Sequence, residues 1–102
     1  GLRRAALLDI ITKSSGDSRI LRSKQRIIRD SSYGDAQFDV RIALKDLRLL
    51  LQTSSASVGS RPPILEEVER LIAAVADDCE GPTDVSVIAD PANHAGRGHS
   101  RC

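Results

Sequence analysis

Apolar residues recur at the helical interval in four separate segments of this chain, and nowhere do they alternate as a half-buried strand requires. That feature confines the chain to helices packed on helices. The first segment runs from about Leu2 to Lys13, with Ala6, Leu7, Ile10 and Ile11 in helical register, and Ser14, Ser15, Gly16 and Asp17 stop it. The second, about Ser18 to Asp30, sets Ile20, Leu21, Ile27 and Ile28 on one side and Arg19, Arg22, Arg26 and Arg29 on the other. The third spans about Asp39 to Thr53 and gives way to the polar stretch TSSASVGSRP. The fourth starts near Pro62 or Pro63, where a residue without an amide hydrogen suits a first helical turn. Its face of Ile64, Leu65, Val68, Leu71, Ile72, Val75, Ala76 and Cys79 ends at Gly81-Pro82. The segment TDVSVIAD adds a short fifth turn. The expected fold is therefore all-α, a compact bundle of four main helices over residues 1–90, followed by a disordered polar tail over 91–102.

With Tyr33 and Phe38 as the only aromatic residues, the core is expected to be built from Leu, Ile, Val and Ala. No apolar run approaches the roughly 20 residues of a membrane span, so no membrane partner is expected. The two cysteines, at 79 and 102, do not make a disulfide framework, which leaves a cytoplasmic setting as the expectation. Cys79, His94, His99 and Cys102 are spaced C-x14-H-x4-H-x2-C, but no close cysteine pair anchors the set and no metal is expected. The arginine stripe of the second helix could meet phosphates, yet it lacks aromatic stacking partners and is read as a solvated face, with no nucleic-acid partner. Lys24 falls within the apolar arc of the same helix, where its stem is expected to lie along apolar surface while its head reaches water.

The third helix is the least conventional element. On a wheel of about 100° per residue, Val40, Ala43, Leu44, Leu47, Leu50 and Leu51 form a core face. Ile42 and Leu49 stack on the opposite side, with Lys45 and Asp46 flanking the space between them. Adjacent residues on a helix diverge, so Lys45 and Asp46 are not expected to pair with each other. Four short helices cannot bury both faces of one member. The second face is left for another domain, another subunit or a ligand.

The residues on that helix carry a resemblance. Phe38 stands seven positions before Lys45-Asp46-Leu47, and this pattern is similar to the C-terminal helical domain of the β-hydroxyacid dehydrogenases, the group of 3-hydroxyisobutyrate dehydrogenase and tartronate semialdehyde reductase. LLDIITKSSGDS resembles that family's helix ending in a Gly-x-Ser turn, VGSRPPILEEVERLIAAV its Gly-then-Pro approach to the next helix, and EGPTDVSVI its closing Gly-x-x-Asp-x-Ser segment. Together these cover roughly residues 5 to 90.

The resemblance implies a fold like the C-terminal domain of 6-phosphogluconate dehydrogenase, packed against a Rossmann domain of the same enzyme and across a homodimer. It implies NAD or NADP as cofactor, a small hydroxy acid as substrate, and reversible hydride transfer as the reaction. Lys45, Asp46 and Phe38 would line the cofactor cleft, with Ser18 of the Gly-x-Ser turn a further contact. The departures are specific. Arg19 replaces the aromatic residue that follows that serine in the family, and neither a G-x-G-x-x-G fingerprint nor the family's catalytic-lysine segment is present. No catalytic residue is therefore assigned, and this chain alone is expected to be inactive. The other reading of the same residues is a non-enzymatic helical module that self-associates through Ile42 and Leu49.

Overall fold

The structure, a computed structural model, describes residues 1–93. It contains α1 (Arg4–Thr12), α2 (Arg19–Asp30), α3 (Val40–Val58) and α4 (Pro63–Asp78), followed by two 3-10 turns, Val85–Ala89 and Pro91–Asn93. Among the described residues there is no strand, and one isolated antiparallel bridge joins Asp39 to Asp84. Among the described residues the fold is thus mostly helical, with four main helices and two short 3-10 turns after them. The expected tail lies, from His94 onward, outside the described residues.

Local chemistry accounts for the helix ends. Ser18 caps α2 by accepting from the Leu21 amide at 3.0 Å, and Asp39 caps α3 by accepting from the Arg41 amide at 2.8 Å. Pro63 opens α4 as its first residue, with Glu66 in the first turn facing the positive end of the helix dipole. The end of α3 differs from expectation, because the helix continues through the Thr-Ser-rich stretch to Val58. Nothing in TSSASV forbids helical dihedrals, and Thr53 Oγ1 donates to the Leu49 carbonyl at 2.9 Å inside the turn. Termination waits for Gly59, whose φ of 69° is the left-handed conformation that glycine tolerates without a Cβ penalty.

The helices pack as two pairs. α1 lies on α2, α3 forms a hairpin with α4, and the Val85–Ala89 turn is wedged against α2, α3 and α4. Two small cores result. Ile27, Tyr33, Val75, Cys79 and Val87 make one, and Val40, Leu44 and Ile72 make the other, with Ile88 packed against both.

Two expectations about the interior need correcting. Tyr33 is among the largest fully buried side chains, so the core is not purely aliphatic; its hydroxyl is satisfied by donating to Asp90 Oδ2 at 3.2 Å. Leu50, placed on the core face by the helical wheel, is 51% exposed, whereas Leu51 is buried. α4 and the 3-10 wedge cover only a narrow strip of α3, centred on Val40, Leu44 and Leu51.

Those two neighbours provide a direct check on the assigned face. By urea unfolding, Leu51→Ala should cost about 3 kcal/mol through lost burial and the cavity left behind, while Leu50→Ala should stay within about 0.5 kcal/mol. Equal losses at both positions would mean that α3 is rotated from the orientation described.

Candidate functional site

The site is assembled from a place where a charged residue, Lys24, interrupts an apolar arc. Lys24 of α2 is only 6% exposed, and its ammonium donates to Asp84 Oδ2 at 2.7 Å. The expectation that its head reaches water is overturned: a fully buried carboxylate lies within reach and replaces the solvent. The same Oδ2 accepts the backbone amides of Gln37 at 2.9 Å and Phe38 at 3.2 Å. Oδ1 accepts the Ser86 amide at 3.0 Å and its hydroxyl at 2.6 Å. Burial alone would raise the Asp84 pKa, but the hydrogen bonds from Lys24, Ser86 and Gln37 outweigh it and hold the carboxyl well below the usual range.

Backbone bonds extend this junction into a short antiparallel lacing. The Asp84 amide donates to Tyr33 O at 2.7 Å, the Val85 amide to Phe38 O at 2.8 Å, and the Val40 amide to Thr83 O at 2.8 Å. The start of α3 is therefore fixed on the closing segment. Asp39 adds a surface clamp. Its carboxylate is lowered to about 2, chiefly by the Arg41 side chain and then by the Arg41 amide, while Arg41 also reaches Gly81 O at 2.9 Å.

From that anchored start, α3 presents an open groove of about 430 Å³ lined by Arg41, Leu44, Lys45, Arg48, Leu49 and Gln52. Arg41, Lys45 and Arg48 recur along one side of the helix, so three cations stand between the flanking leucines Leu44 and Leu49. Each cation has an acidic neighbour: Arg41 with Asp39 at 2.9 Å, Lys45 with Asp46 at 3.2 Å, and Arg48 with Glu69 at 2.9 Å. The Lys45–Asp46 contact corrects the expectation that these adjacent residues cannot meet. The lysine stem is long enough to bend along the surface, and both side chains are mostly exposed.

The sequence-derived candidates are thus distributed unevenly. Lys45 lines the groove, and Asp46 sits beside it as the partner of the lysine. Phe38 stands just before α3 with its side chain 40% exposed. Ser18 sits at the start of α2 with its hydroxyl oxygen engaged by the Leu21 amide, and it is not part of the groove lining. Ile42 and Leu49 are both exposed. Asp84 entered the sequence reading only within a motif, and Lys24 only as an anomaly in an apolar arc. That anomaly, a lysine where the periodicity demands an apolar residue, was the available signal for a buried pair.

Other constellations are less concentrated. Arg22 pairs with Asp17, Arg26 with Asp35 and Arg29 with Asp9, so much of the α2 stripe meets local carboxylates. Among the described residues, no group of three or more His, Cys, Asp or Glu is placed to hold a metal; His94, His99 and Cys102 lie outside them. No helix among those residues is long and apolar enough to cross a membrane.

Comparison with known proteins yields one match. Residues 1–92 fit the family model described as NAD-binding of NADP-dependent 3-hydroxyisobutyrate dehydrogenase. No curated protein and no solved structure matches.

Among the depressed carboxyls, Asp39 and Asp84 at the junction predict its acid behaviour. Asp39 and Asp84 both lie below their ordinary 3.8 in the folded chain, so the unfolded chain binds more protons as pH falls. Their stabilisation should be complete above about pH 5 and be lost progressively from about pH 4 downward. Urea midpoints measured across this range should show that limb in the wild type and a shallower one in Asp84→Asn. An unchanged slope in the variant would remove Asp84 from the account.

Proposed function

The chain belongs to the NAD-binding family of NADP-dependent 3-hydroxyisobutyrate dehydrogenase, and from that premise we propose that it is the C-terminal, cofactor-cleft domain of an NAD(P)-dependent 3-hydroxyacid dehydrogenase-like oxidoreductase. On this reading the domain has the architecture of the 6-phosphogluconate dehydrogenase C-terminal domain, completes its cleft against a Rossmann domain, pairs across a homodimer, and is inactive alone. The observation that carries the reading is the groove along α3. It combines the cations Arg41, Lys45 and Arg48 with the flanking apolar side chains Leu44 and Leu49, a chemistry suited to an anionic dinucleotide or a small carboxylate.

The cofactor, when bound, supplies a nicotinamide ring that accepts or delivers hydride. The residues of this chain would bind and orient around it. Lys45 would turn from Asp46 toward an anionic group; an exposed pair of this kind contributes only about 0–1 kcal/mol and is cheaply exchanged. Asp46 would then hold the neighbouring polar groups of the cleft. Phe38, 40% exposed, would offer an apolar surface to the ring and help to exclude water. Ser18, with its oxygen already accepting from Leu21, retains its own O–H for donation.

The exposed pair Ile42 and Leu49 favours a second reading, a helical module that self-associates through this face. Titration of the isotope-labelled chain with NADP separates the two. The dehydrogenase reading expects amide shifts centred on Phe38, Arg41, Lys45, Asp46 and Arg48, with Ser18 as a further contact, saturating near about 1 mM because only one wall of a cleft is present. Shifts confined to the arginines of α2 would sink it. A silent titration, together with a dimer that Ile42→Glu dissociates, would establish the association module instead.

A further inference from the structure

Phe38 is held by its backbone more than by its ring. Its amide donates to Asp84 Oδ2 at 3.2 Å, and its carbonyl accepts from the Val85 amide at 2.8 Å, so residues 84 and 85 grip both sides of one residue. The side chain remains 40% exposed and is not a member of either core cluster. Its location is therefore fixed from both sides, by the Asp84 carboxylate at its amide and by the Val85 amide at its carbonyl. That carboxylate is oriented in turn by Lys24 at 2.7 Å on one oxygen and by Ser86 at 2.6 and 3.0 Å on the other. A rotation of the carboxylate would release the Gln37 and Phe38 amides together and loosen the two residues that precede the Asp39 cap of α3.

We infer that Lys24 and Asp84 are positioning residues for the cofactor face: through the Asp84 carboxylate they set where Phe38 stands relative to the groove that carries Lys45. The inference rests on the cofactor-cleft reading for its functional consequence, and on the geometry alone for its structural one. Neither side chain lines the groove. Lys24 is nearly buried and Asp84 fully so. Their action is transmitted through two backbone amides, which no substitution of Phe38 itself would reveal.

Amide hydrogen exchange and NADP titration on the intact chain test this together. Lys24→Met removes the ammonium and keeps the length of the stem, Lys24→Arg restores a cation, and Ser86→Ala removes one hydroxyl donor while leaving the ion pair in place. The expected result is a protection loss of about tenfold at Gln37 and Phe38 in Lys24→Met beyond any loss at the Leu44 and Ile72 amides, which report on the whole fold. The NADP dissociation constant of the folded variant should rise about fivefold, Ser86→Ala should give a smaller change of the same pattern, and Lys24→Arg should return both readouts to within about twofold of wild type. If Lys24→Met does not fold, Ser86→Ala carries the same comparison. Protection falling equally at all four amides, with cofactor affinity unchanged, would make the pair purely structural and overturn the inference. A wild-type chain whose α3 signals ignore NADP would sink the cofactor reading alone, and the positioning of Phe38 would then be decided by the exchange data.

Discussion

A buried ion pair organises this domain. Two charges withdrawn from water carry a desolvation cost of several kcal/mol each, and attraction between them seldom returns much more than that. The Lys24–Asp84 pair overcomes the difficulty by geometry. The carboxylate accepts five hydrogens, from Lys24, Gln37, Phe38 and twice from Ser86, so both of its oxygens are satisfied. Loss of one partner would leave a buried charge uncompensated, a change typically worth about 3–5 kcal/mol. The pair also does what apolar side chains of the same size could not. It specifies register, tying α2, the loop before α3 and the closing 3-10 turn to one another at single positions.

The consequence for α3 follows from how little apolar material the domain buries. The two cores are small, and the 3-10 wedge stands between the helix pairs where a longer helix could have packed. Full burial of α3 is therefore confined to Val40, Leu44 and Leu51, with Ala43 and Leu47 half-buried beside them and the opposite side open. The cations on the open side each meet a neighbouring acid, exposed at Asp46 and half-buried at Asp39 and Glu69. The Lys45–Asp46 pair, with both side chains mostly exposed, is of the kind that is weak in water and adjustable. The rigid element and the adaptable one are thus different charge pairs, distinguished by burial rather than by residue type.

Much of this was legible in the chain. The four helices were readable from periodicity, and two of their boundaries from Ser18 and Pro63, because caps and first-turn prolines act through neighbours in sequence. The family was readable from four short motifs in order, and the family match covers the same ground. The true end of α3 was not, since Ser and Thr only weaken a helix and an intact hydrogen-bond ladder carried it on to Gly59. Leu50 and Leu51 were equivalent on a wheel and unequal in the fold. Lys45 and Asp46 were ruled apart by helix geometry, which describes Cβ directions and not the reach of a four-carbon stem.

What the sequence determined by itself was everything set by local spacing: helix number, helix type, most termini, and an apolar arc on each helix. Tertiary structure alone decided which part of each arc is covered, because coverage depends on the elements that arrive from elsewhere in the chain. It also decided the fate of Lys24. Sixty positions separate that lysine from Asp84, and no periodicity spans them. Only when the closing segment folds back between the helix pairs does an acid meet the amine in a place without water. There the energy of leaving either charge unpaired turns an anomaly of pattern into the central joint of the fold.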